Sequence, residues 1–195
     1  MRTAIYNRKT TETDITLELN LDGAGESTIM SGVGFLDHML TLFARHARMD
    51  VTLRCAGDTA VDDHHSVEDI AISLGEALKN ALGDKRGIRR YGSALLPMDE
   101  SLVMVALDLS GRGCLRYTAS IPSQKIGGFD TELVREFFLA LTRTAGITLH
   151  LRQLDGENSH HIVEAMFKGV GRALKEAAAM DPALAGEIPS TKGML

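Results

Sequence analysis

A chain of 195 residues, 44% of them hydrophobic and 24% charged, can bury a sizeable core as one domain or as two small halves. Its formal charge of −5 argues against non-specific nucleic-acid binding, and no stretch approaches the ~20 apolar residues of a membrane span. The N-terminus has no signal-peptide core and Cys55 and Cys114 share no short motif, so a reduced, cytoplasmic setting is the default.

The period-two pattern of Ile15, Leu17, Leu19 and Leu21 predicts a half-buried strand over 13–21. A turn at 22–26 and a return strand over 27–31 follow, and Gly32-Val-Gly34 breaks the chain. Phe35, Leu36, Met39, Leu40, Leu42 and Phe43 have helical spacing and predict a helix over 35–47. A strand over 50–55, a polar loop and a long helix over 66–82 complete the first half, with Gly83 at the C-cap. The second half repeats the order: a strand over 101–109, a turn at 110–113, a strand over 114–120, helix 131–145, strand 147–153 and helix 163–179. The boundary falls near Tyr91-Gly92, with no low-complexity linker, so the halves are expected to pack as one body: two pseudo-repeats, about 1–91 and 92–186, and a polar tail over 187–195. The expected fold class is α+β, each half a short mixed or antiparallel sheet covered by helices.

His64-His-Ser-Val-Glu68 returns as His160-His-Ile-Val-Glu164 in the second half. At the same offset Val51-Thr-Leu53 lines up with Ile147-Thr-Leu149, and Gly75, Ala77, Leu78 and Lys79 with Gly171, Ala173, Leu174 and Lys175. Helix 35–47 matches helix 131–145 closely enough to set His38 opposite Glu136. One unit has been used twice, and both copies kept two histidines and a glutamate. A single His-His pair is ordinarily a surface or capping feature, and Asp62-Asp63 or Asn158-Ser159 could simply cap the helices. Capping does not explain the repeated histidines and glutamate; metal binding does. Imidazole with carboxylate suits Mn, Fe, Zn or Ni, and the carboxylates pull toward Mn. Neighbouring histidines diverge by about 100° on a helix, so each cluster more naturally gives one His and the Glu to one ion and its other His to a second. Arg89-Arg90, Arg112 and Ser190-Thr-Lys192 could hold a phosphate, although singly each reads as a surface charge.

Several motifs resemble those of the imidazoleglycerol-phosphate dehydratase family: Gly34-Phe-Leu-Asp-His-Met-Leu, Asp62-Asp-His-His-Ser-Val-Glu-Asp, Pro97-Met-Asp-Glu, Asp108-Leu-Ser-Gly-Arg, Gly156-Glu-Asn-Ser-His-His-Ile-Val-Glu-Ala and Pro189-Ser-Thr-Lys-Gly. The resemblance runs from Arg8 to Gly193. It implies a duplicated fold similar to domain 2 of ribosomal protein S5. It also implies a twenty-four-subunit shell with active sites at subunit interfaces, and two manganese ions per site. The ligands carried over are His38, His64, His65, Glu68, His160, His161 and Glu164. Glu136 would have to serve as the eighth, where many members have a histidine. Leu42 stands where many have a glutamine. Substrate contacts carry over to Glu12, His46, Arg90, Arg112, Lys168, Ser190 and Lys192, of which Arg90, Arg112, Ser190 and Lys192 fit the phosphate end.

The resemblance further implies dehydration of imidazole glycerol phosphate to imidazole acetol phosphate in histidine biosynthesis, by way of an imidazolate held between the metals and a diazafulvene. Glu12 is the expected C–H base and Glu164 the alternative. Two rival readings use the same residues: another dinuclear-metal enzyme, such as a phosphatase or amidohydrolase, and a non-catalytic metal-storage or shell-forming protein.

Overall fold

A computed structural model describes all 195 residues. The first half runs β1 (Thr3–Lys9), β2 (Thr13–Asn20), β3 (Ser27–Met30), α1 (Gly34–Ala47), β4 (Asp50–Gly57) and α2 (His64–Leu82). The second runs β5 (Tyr91–Met98), β6 (Ser101–Asp108), β7 (Cys114–Thr118), the short hairpin β8 (Lys125–Ile126) and β9 (Phe129–Asp130), then α3 (Glu132–Ala145), β10 (Thr148–Asp155) and α4 (Ser159–Ala178). A single 3-10 turn, Pro182–Leu184, precedes the tail.

The expected α+β class holds, with two four-stranded sheets of the same topology, ordered β1-β2-β4-β3 and β5-β6-β10-β7. Each has antiparallel pairs plus one parallel pair, β3 with β4 and β7 with β10. Alternation turns Ile15, Leu17 and Leu19 of β2 and Val103, Val105 and Leu107 of β6 inward. Helix α2 covers the first sheet and α4 the second, while across the halves α1 packs on α4 and α2 on α3. The result is one continuous core. Phe137 and Phe138 of α3 meet Phe167 of α4 with ring centroids 5.1 and 4.8 Å apart.

Two pairings differ from the sequence expectation. Residues 27–31 do not return along β2. The Asp50 carboxylate accepts the N–H groups of Ala24, Gly25 and Glu26 at 2.8–3.0 Å, and so draws the turn across to β4. Helix α1 then makes the crossover that a parallel pair requires. Likewise β7 leaves β6, both of whose edges are taken by β5 and β10, and pairs with β10 after α3 crosses over. The β1 and β5 strands, absent from the periodicity reading, supply the true antiparallel partners of β2 and β6.

Both long helices begin earlier than their apolar period suggests, at His64 and Ser159, so the histidines lie in the first turn. Asn158 caps α4, its side-chain oxygen accepting from His160 N at 2.9 Å and His161 N at 3.3 Å. On α2 the outer residue does this instead: Asp62 accepts from His64 N at 2.8 Å, and Asp63 makes no side-chain cap.

Gly92 shows how tightly sheet and helix meet. A Cβ there would lie 1.9 Å from the Ala173 carbonyl oxygen, on the backbone of α4. Gly92→Ala is therefore expected to push β5 off α4 and to lower unfolding free energy by about 2 kcal/mol or more, read from the urea midpoint. An unchanged midpoint would contradict this packing.

Candidate active site

His38, from α1, meets His160 and Glu164, from the first turn and a half of α4. One side-chain donor atom from each lies within 4.8 Å of the others. His160 Nε2 is 3.0 Å and His38 Nε2 3.4 Å from Glu164 Oε2. The i, i+4 spacing on α4 aligns His160 with Glu164, and α1–α4 packing brings His38 from the other half. Phe35 walls the cluster, its ring edge-on to His160 at 5.3 Å. Glu164 is buried, at 7% exposure. Burial alone would raise its pKa, yet hydrogen bonds from Lys168, His160 and His38 more than offset this and hold the carboxyl below its ordinary value. It is thus an anion poised among imidazoles. Lys168, one turn further on, pairs with its other oxygen.

The corresponding place between α2 and α3 is different. Glu136 pairs with Arg135 at 3.0 Å, and no three-ligand group forms there with His64 or Glu68. His65 turns to other partners, with Nδ1 3.0 Å from Asp58 and Nε2 3.7 Å from Glu12. His161 likewise turns from its neighbour, the two rings crossing at 80°, and its Nδ1 meets Glu100 at 2.7 Å. That contact holds the Glu100 carboxyl down to about 2, helped by the Asn158 N–H, and raises His161. Asp58 and Glu100 were missed by sequence reasoning. Glu100 lies within the Pro97-Met-Asp-Glu run, whereas Asp58 sits in a polar loop with no distinguishing signal.

The basic residues gather as well. Arg90, Arg112, Ser190, Thr191 and Lys192 line one cavity of about 430 Å³, closed on one side by the tail. Arg90 is fixed by Asp108 at 2.8 Å and donates to the Pro189 carbonyl at 2.8 Å. The tail, too polar to join the core, is therefore laid over the arginine that anchors it. His46 lies elsewhere, in a groove with Arg89, Arg172 and Lys175. Burial, then the charges of Lys168 and Arg172, push its pKa down. So the predicted residues form separate groups: His38/His160/Glu164/Lys168, Glu12/His65, the Arg90–Lys192 cavity, and His46.

Two duplicated sheet-plus-helix halves, with imidazoles and carboxylates heading both long helices, define the α+β class to which this chain belongs. Residues 31–174 match the profile of imidazoleglycerol-phosphate dehydratase. The "Imidazoleglycerol-phosphate dehydratase" of Jannaschia sp. is 62% identical over 195 residues, all of both chains. That of Desulforamulus reducens is 58% identical over 194 residues, 100% of this chain and 98% of the other. The crystal structure from Staphylococcus aureus superposes with a TM-score of 0.82 at 42% identity, covering 91% of this chain and 99% of that one. The one from Pyrococcus furiosus gives 0.84 at 40%, covering 97% and 99%. The chain belongs to the imidazoleglycerol-phosphate dehydratase family, a family of hydro-lyases.

Proposed function

We propose that this chain dehydrates imidazole glycerol phosphate to imidazole acetol phosphate in histidine biosynthesis. The observation that carries the reading is the cluster of His38, His160 and Glu164, with donor atoms within 4.8 Å of one another. Two imidazole nitrogens and a carboxylate held as an anion are a donor set that manganese accepts. Two ions per site would be held by these three residues and by His64, His65, Glu68, Glu136 and His161, brought together across contacts between copies in a twenty-four-subunit shell. The composite site is supported by the separation of the groups: the basic cavity shares no residue with either histidine cluster. When bound, manganese supplies Lewis acidity toward the substrate ring and a template that orients it.

The chain's own residues do the rest. Arg90, Arg112, Ser190 and Lys192 hold the phosphate and thereby orient the reacting carbons. Lys168, paired with Glu164, and His46, in its own groove, complete the proposed substrate contacts. The ring gives up its N–H proton, the hydroxyl on the carbon beside it departs with its bonding electrons and takes up a proton to leave as water, and a pair from the ring replaces the broken bond, which leaves a diazafulvene. Glu12 takes the proton from the next carbon, and the resulting enol becomes the ketone by gaining a proton at the ring-side carbon. Glu164, already engaged by three cationic or imidazole partners, is the weaker candidate for that base.

Chelator-stripped protein given imidazole glycerol phosphate, with and without Mn²⁺, tests the reading. Manganese-dependent formation of imidazole acetol phosphate supports it; inorganic phosphate as the product would establish the phosphatase reading instead. Arg112→Ala is expected to raise KM about 10- to 100-fold through loss of a charged hydrogen bond, with kcat changed little. A turnover defect at unchanged KM would remove Arg112 from the phosphate end.

A further inference from the structure

Glu12 sits in the turn between β1 and β2 with its side chain 47% exposed and its Oε1 3.7 Å from His65 Nε2. What fixes it is the backbone. Thr10 Oγ1 accepts from Glu12 N at 3.1 Å and Thr13 N at 3.0 Å, and the Glu12 carbonyl accepts from Asp58 N at 3.1 Å. Beneath the turn lies Asp69, on α2 directly after Glu68 and only 6% exposed. One of its oxygens meets Arg8 Nη2 at 2.9 Å and the other accepts from Thr13 Oγ1 at 2.6 Å. Arg8 and Thr13 stand on either side of the turn, on β1 and β2. Both carboxylate oxygens are thus spent on the two arms of the segment that carries Glu12.

The duplication supplies an internal control. Where Glu68 is followed by Asp69, Glu164 is followed by Ala165, so the second half has no carboxylate at this position. Its β5–β6 turn carries Glu100, and that side chain is itself engaged, by His161 at 2.7 Å, Ser101 at 3.0 Å and Asn158 N at 2.8 Å. The same sheet topology therefore forms without the buried clamp, and the fold alone does not call for Asp69. The first half differs in leaving the carboxylate at the turn open while immobilising the backbone beneath it, which is what a proton-abstracting group needs.

We propose that Asp69 is a positioning residue for Glu12, clamping Arg8 and Thr13 so that the Glu12 carboxylate stays at a fixed place beside His65. The proposal rests on the reading of Glu12 as the C–H base. Asp69→Asn in the manganese-loaded full chain should lower kcat on the order of 10- to 100-fold with KM changed little. In a Glu12→Gln background the same substitution should cost nothing more, because a residue that acts through Glu12 has nothing left to position. Losses that multiply in the double variant, or a raised KM at unchanged kcat, would overturn the proposal. Should Asp69→Asn fail to fold, Thr13→Val carries the same test: a smaller kcat loss that vanishes in the Glu12→Gln background. A crippled Glu12→Gln beside a normal Asp69→Asn and a normal Thr13→Val overturns the clamp alone; an undiminished Glu12→Gln overturns the base assignment and the clamp with it.

Discussion

Glu164→Gln is expected to empty the candidate metal centre and abolish turnover together. Glu164 is the only carboxylate in the three-residue cluster, and its Oε2 is the atom on which His38 and His160 both converge. The amide keeps the shape and removes the charge. Loss even of partners outside the ligand sphere commonly costs 10- to 100-fold in metal affinity, so loss of the anionic ligand itself should cost about 100-fold or more. Manganese content after dialysis reads this directly, and parent-like content would refute the assignment. A confounding effect has to be separated. Glu164 and the Lys168 paired with it are both largely buried, their side chains 9% and 18% exposed. Removing one partner strands the other charge, at a cost of about 3 kcal/mol. Glu164→Gln combined with Lys168→Met should recover most of that stability, seen in the thermal midpoint, and recover none of the metal.

How much of the fold the sequence discloses depends on burial. Strand β2 and the four helices are legible because one face of each is apolar at the period of its element. Strand β1 is not, since its inward residues Ala4, Tyr6 and Arg8 are only half-buried and mixed in polarity. Strand β5 hides for another reason: it contains Gly92 and Pro97, both of which speak against a strand. Pro97 is tolerated because β5 is an edge strand, and Gly92 because α4 leaves no room for a Cβ. Pairing is less legible still. Nothing in the alternation of 27–31 says that its partner is β4, since that outcome is set by the Asp50 side chain gathering three backbone amides.

The site divides in the same way. The duplicated His-His-x-x-Glu shows which residue types matter, but helical spacing lets either His160 or His161 meet Glu164, and only the structure selects His160. Which histidine turns where is decided by residues far off in sequence. Glu100 claims His161, and Asp58 with Glu12 claims His65. The pseudo-symmetry that sets His38 opposite Glu136 is real as topology, but Arg135 takes up the Glu136 carboxylate within one chain. Equivalent positions in a duplicated chain therefore share a backbone address without sharing chemistry.

Glu12→Gln should separate catalysis from assembly. The side chain is about half exposed, with no partner closer than His65 at 3.7 Å, so the amide should shift stability by no more than about 0.5 kcal/mol. Glu12 is not among the residues that converge at the His38 cluster, so manganese content should match the parent. Substrate affinity, set largely by the arginines and the tail, should also survive. Only the proton transfer loses its acceptor, and general-base help of this kind is worth roughly 10²- to 10⁴-fold in kcat. With C–H cleavage slowed, substrate deuterated at that carbon should show a larger isotope effect in the variant than in the parent. Near-parent turnover with an unchanged isotope effect would dismiss Glu12 and leave Glu164 as the candidate base. A Glu12→Gln variant that kept its metal and its KM and lost its turnover would put the acceptor on the β1–β2 turn, outside the ligand cluster.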